Sequence, residues 1–217
     1  MKKRALSVND ILCYEPKSIG FDGKWKEAMG DPELKGCWTI WGASGQGKTR
    51  FLLQLTKYLM SKGIKVAYNS LEEGLSDTFK RAIIDSGVSA ENKTNFQLWD
   101  KAQLPEILER IKIQRCPRVI IIDSVQFLDG VTKSDLSEMI DNNPRKLFVF
   151  VSHAAGRQPL GALANSLRYK SDIKMYVDDF YNHITSRYSG RAVFDIWPEY
   201  HLMTEEEKQH TVTMTEK

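Results

Sequence analysis

The sequence contains no apolar run approaching the ~20 residues that a membrane-spanning helix needs, which excludes a bilayer-crossing segment of that kind. Cysteine is scarce: Cys13, Cys37 and Cys116 lie far apart, with no C-x-x-C pair among them. That excludes a zinc site of the usual spacing and argues against a disulfide framework. The start, Met1-Lys2-Lys3-Arg4, is basic, but Ser7, Asn9 and Asp10 follow where a secretory signal would place its apolar stretch. There is no internal repeat, no low-complexity block and no N-K-x-D motif for reading guanine. What is present is a chain of 217 residues, 41% hydrophobic and 10% aromatic, enough for a sizeable core and too much for a disordered chain. The expectation is a soluble, cytoplasmic, globular protein with one main domain.

The net charge of +3 says little, but its distribution says more. Between Pro144 and Arg191 eight basic residues face three acidic ones, a local +5; from Glu199 onward five acids face two lysines, a local −3. A basic segment followed by an acidic tail is compatible with nucleic-acid contact, and equally with an ordinary solvated surface.

Strand and helix patterns alternate along most of the chain. Cys37–Trp41, Lys65–Asn69, Asn95–Trp99, Val119–Ile122 and Leu147–Val151 read as strands; Lys48–Ser61, Leu75–Asp85, Leu104–Gln114, Leu136–Asp141 and Leu160–Tyr169 read as helices. Near the start, Ser7 and Asp10 suit the cap of a short helix, and Trp25–Met29 forms another. Gly63 sits where the Lys48–Ser61 helix should stop. Ile173–Val177, Tyr181–Ser186 and Ala192–Trp197 read as successive strands without intervening helices. The fold class is therefore α/β: a mainly parallel twisted sheet flanked by helices, with antiparallel strands at its C-terminal end. Residues 1–35 form a lead-in, 36–200 the domain, and 201–217 an acidic, flexible tail.

Gly42-Ala-Ser-Gly-Gln-Gly-Lys-Thr49 matches G-x-x-x-x-G-K-[ST] between a strand and a helix. Glycines let the backbone curl so that N–H groups point at phosphates; Lys48 supplies a point charge to the β and γ phosphates, and the Thr49 hydroxyl suits Mg²⁺. Gly42, Ala43, Ser44, Gly45, Gln46, Gly47, Lys48, Thr49 and the following Arg50 make up the expected nucleotide-contacting segment. Val119-Ile-Ile-Ile-Asp123 is a hydrophobic strand ending in an acid, which places Asp123 beside the loop as a second Mg²⁺-holding group. Glu72 and Glu73 follow another strand, and by position either can orient a water for attack on the γ-phosphate.

Together these segments resemble the RecA-like P-loop ATPase superfamily, in particular the motor domain of DnaB-type replicative helicases and the cores of RadA and KaiC-type proteins. The likeness runs through Gly42–Thr49, Val66-Ala-Tyr-Asn-Ser-Leu-Glu72, Ile122-Asp123-Ser-Val-Gln126, Phe150-Val-Ser-His153 and Ser186-Arg187-Tyr-Ser-Gly190. The resemblance implies ATP and Mg²⁺ as ligands, Glu72 as the catalytic carboxylate, Gln126 as part of the nucleotide site, His153 as γ-phosphate sensor and Arg187 as a finger reaching a neighbouring subunit. It further implies a homo-oligomer and contact with nucleic acid, single-stranded DNA first, through Ala154–Ser166, with Arg157, Gln158 and Asn165 as contacts. Thr185 stands where the helicase element has its lysine. Two other functions compete: a nucleotide-gated assembly or loading switch with little turnover, and a small-molecule phosphotransferase.

Overall fold

Val119–Asp123 carries four consecutive β-branched residues, and all four are completely buried, as a strand covered on both faces requires. This strand is β4 of a sheet seen in a computed structural model that describes residues 5–88, 95–205, 207 and 208. The others are β1 (Gly36–Gly42), β2 (Val66–Ser70), β3 (Phe96–Asp100), β5 (Leu147–Ala155), β6 (Gln158–Pro159), β7 (Ile173–Asp178), β8 (Tyr181–Ser186) and β9 (Gly190–Asp195). Their order is β3-β2-β4-β5-β1-β7-β8-β9, with β6 paired to the end of β5. The pairings from β3 through β7 are parallel, whereas β7–β8 and β8–β9 are antiparallel.

Helices cover both faces. On one side lies α3 (Lys48–Ser61), whose Phe51, Leu52, Leu55 and Leu59 are fully buried and which stops before Gly63 at φ 73°. With it sit α2 (Gly23–Met29) and α4 (Asp77–Ser86). On the other side α5 (Leu104–Lys112), α6 (Lys133–Asn142) and α7 (Gly161–Lys170) bury Ile107, Leu136, Met139, Ala164 and Leu167 against β4 and β5. Each such Ile, Leu or Met side chain contributes about 1.5–3 kcal/mol when removed from water. The lead-in joins the same core: Phe21, Trp25 and Met29 are buried, with the Trp25 ring 4.8 Å from Phe194 and 5.7 Å from Phe51.

Three details differ from the sequence reading. α6 starts at Lys133, three residues before the expected Leu136, because Thr132 and Asp135 form a capping box. β9 ends at Asp195, not Trp197, and Pro198–His201 then forms a short helix, α8. The chain after β5 turns back as the β5–β6 hairpin before α7, so Ala154–Ser166 is mostly ordered backbone pairing and helix, not an open loop. At the start, α1 (Val8–Leu12) carries the Ser7–Asp10 box but buries nothing. Of the expected flexible tail, residues 206 and 209–217 lie outside the described residues.

Strand register sets the site. Ser70 pairs with Asp123 and Gly42 pairs with His153, so the chain segments leaving β1, β2, β4 and β5 all emerge on one rim.

Candidate nucleotide site

The segment from Gly42 to Thr49 bends from β1 into the N-terminus of α3. Gly47 sits at φ 99°, and a side chain there would also meet the Phe180 ring at 2.7 Å, so only glycine fits. At Gly42 the constraint is closeness: a Cβ would lie 2.3 Å from the Val177 carbonyl oxygen of β7. Lys48 Nζ donates to the Gly42 and Ala43 carbonyls at 3.0 and 2.7 Å, which puts the ammonium inside the curl of the loop. Burial holds its pKa below the usual lysine range, opposed by the carboxylates of Asp123 and Glu72. The β7–β8 turn clasps the loop from outside. Asp179 N–H donates to the Gln46 side chain and Phe180 N–H to the Gln46 carbonyl.

Asp123 ends β4 half-buried, and burial pushes its carboxyl pKa up to about 6; the Tyr68 hydrogen bond and the Lys48 charge pull the other way. Tyr68, in the middle of β2, is fully buried and donates its hydroxyl to Asp123 Oδ2. Nothing in the periodicity marked this residue; the one signal was a hydroxyl-bearing ring in a fully buried strand. Leu71 and Glu72 N–H groups both donate to the Asp123 carbonyl, pinning the end of β2 to that of β4.

The two candidate acids part company. Glu72 Oε2 lies 3.4 Å from His153 Nε2. Glu73 turns away and accepts from the Thr78 hydroxyl at 2.8 Å, beside the Ser76 cap of α4. Gln126, expected to touch nucleotide, is instead fully engaged in protein contacts. Its amide donates to Ser152 Oγ and the Leu160 carbonyl at 2.8 and 2.9 Å and accepts from His153 N–H at 3.3 Å. It therefore fixes the end of β5. Arg50 stacks 3.9 Å over the Trp197 ring, next to the loop it follows. Arg187 does not join the cluster: it pairs with Asp172 at 3.0 Å, where β7 begins, at the opposite end of the sheet.

Parts of the basic segment hold the fold together. Lys170 pairs with Asp141 at 2.8 Å, Lys146 donates to the Pro117 carbonyl, and Asn165 donates to the Pro159 and Gly161 carbonyls at the start of α7. Arg157 and Gln158 remain exposed at the hairpin tip.

This fold has counterparts among solved structures. One solved ATPase domain superposes with a TM-score of 0.51 at 16% identity, over 74% of this chain and 80% of that one. A DnaB-like replicative helicase, whose structure also describes its interactions with primase, gives 0.55 at 16% identity, over 74% of this chain and 54% of that one. The fold is that of the RecA-like P-loop ATPases. The RecA-like core also shows in sequence: the DNA repair protein RadA of Chlamydia muridarum is 30% identical over 123 residues, 56% of this chain. The chain spans about a quarter (26%) of that relative's length. No protein-family model matches it.

Proposed function

We propose that this RecA-like chain is a Mg²⁺-dependent ATPase that couples nucleotide turnover to its grip on single-stranded DNA, working as a homo-oligomer. The reading is carried by one convergence: Lys48, Thr49, Glu72, Asp123 and His153 come from four strand ends to one rim beside a phosphate-shaped loop. Lys48 neutralises the β and γ phosphates. Thr49 and Asp123 offer hard oxygen donors of the kind Mg²⁺ takes, while no group of three or more His, Cys, Asp or Glu among the described residues builds a metal cage. The donor set thus suits a cation completed by phosphate oxygens and water, which would neutralise phosphate charge when bound. Glu72 orients the attacking water, and His153, held by Gln126, senses the terminal phosphate.

His153 also supports the coupling. Its carbonyl accepts from Leu160 N–H at 2.8 Å, and four residues beyond it Arg157 stands at the exposed hairpin tip. A shift at the γ-phosphate reaches that tip through one strand. Arg187 is exposed and far from its own loop, so it serves a neighbouring subunit's nucleotide. The homology to RadA and the likeness to a DnaB-like helicase favour nucleic acid as the partner.

The test is ATP turnover with and without single-stranded DNA. The wild type is expected to bind ATP and speed up with DNA, with DNA binding falling steeply with salt. Lys48→Ala should lose ATP affinity, whereas Glu72→Gln should bind ATP and turn it over about 100-fold more slowly. Normal turnover by Glu72→Gln would remove its assignment, and ATP binding without turnover in the wild type would favour a nucleotide-gated switch.

A further inference from the structure

We infer that Tyr68 is a positioning residue that orders the side chain of Asp123, the carboxylate proposed to hold the metal. Tyr68 lies on β2, two residues before the Ser70–Asp123 pairing, so its side chain reaches along the sheet to the end of β4. Its ring is fully buried and packs 5.2 Å from the Phe79 ring of α4, which leaves the phenol oxygen one position to occupy. A phenol has one proton to donate, and Tyr68 gives it to Asp123 Oδ2.

This bond has a consequence for the metal ligand. Asp123 has one oxygen satisfied by the phenol and the other left for a cation or its water. Donors oriented in advance bind a metal better than donors that must first be turned, and partners of this kind are worth about 10–100-fold in metal affinity. The role rests on the proposed Mg-nucleotide reading of the loop. It is separate from phosphate binding, which falls to the backbone and Lys48.

Tyr68→Phe removes the oxygen and keeps the ring. Nucleotide binding is followed by calorimetry in EDTA and then across a Mg²⁺ titration. Metal-free ATP affinity should stay within about twofold, while the Mg²⁺ midpoint rises about tenfold or more. In an Asp123→Asn background, Tyr68→Phe should add little further, because the charged ligand that Tyr68 orders is already gone. An unchanged midpoint overturns the inference, as does a parallel fall of metal-free and metal-supported affinity, which a merely structural residue would give. Tyr68→para-aminophenylalanine keeps the ring and offers Asp123 only a weaker N–H donor. It covers the case in which the Phe variant does not fold: its midpoint should also rise, by a smaller factor, and no rise is again a refutation. If the wild type itself shows no Mg²⁺-dependent nucleotide binding, the functional reading fails and this inference with it. If the wild type binds and only the variants are unaffected, this inference alone fails.

Discussion

Asp123→Asn should make the metal-free protein more stable while removing its response to Mg²⁺. Burial raises the Asp123 carboxyl from its ordinary 3.8 to about 6. Below pH 3.8 the group is neutral in the folded and unfolded chain alike, and no penalty exists. As the pH rises from there to about 6, the unfolded chain releases its proton first, so folded-state stability falls; above that the penalty is constant. The interval from 3.8 to about 6, at 1.36 kcal/mol per pH unit, amounts to about 3 kcal/mol at pH 8 and about half that at pH 5. Asparagine keeps the size and still accepts from Tyr68, but carries no charge. Urea denaturation in EDTA should therefore show the Asn variant about 2–3 kcal/mol more stable at pH 8, an increase in melting temperature of about 5–10 °C for a chain of this length. The advantage should shrink by about half at pH 5 and reverse in saturating Mg-ATP, where the wild type gains the energy of holding Mg²⁺ that the variant lacks. An Asn variant no more stable than wild type at pH 8, or one whose advantage does not shrink on acidification, would refute the reasoning. Sites built to hold a cation commonly give up stability in this way.

Gly42→Ala should cost several kcal/mol and lower the melting temperature, because its methyl group would meet the Val177 backbone carbonyl at 2.3 Å and neither strand can yield without breaking the β1–β7 pairing. Gln126→Ala should cost about 1–3 kcal/mol in denaturant unfolding, since it leaves the His153 N–H and the Leu160 carbonyl without their partner. In steady-state assays it should slow turnover more than it weakens ATP binding. Arg50→Ala should cost about 1 kcal/mol by denaturation, through loss of the stacking on Trp197 that ties the start of α3 to the C-terminal segment.

Much of this molecule is local in origin. The β-branched run Val119–Ile122, the apolar stripe of α3, the Gly63 stop and the spacing of Gly42–Thr49 are each written within a short window, and each appears where the pattern puts it. Periodicity fails where elements are too short to show a period, as in β6 and α8, or where a cap moves a boundary, as Thr132 does for α6. Position along the chain could not separate Glu72 from Glu73, because adjacent carboxylates look alike until one faces His153 and the other turns to Thr78.

The sequence by itself determined the order of strands and helices, the glycine-rich loop after β1 and the acid that ends β4, because those depend on residues a few positions apart. The tertiary structure decided which side chains meet. Strand pairing brings Gly42 beside His153, more than a hundred residues later, and Ser70 beside Asp123. Only that register hands Tyr68 to Asp123, ties Gln126 to β5, and carries Arg187 to the far end of the sheet. Hydrogen bonds act over about 3 Å, and no spacing along the chain encodes so short a distance between segments so far apart.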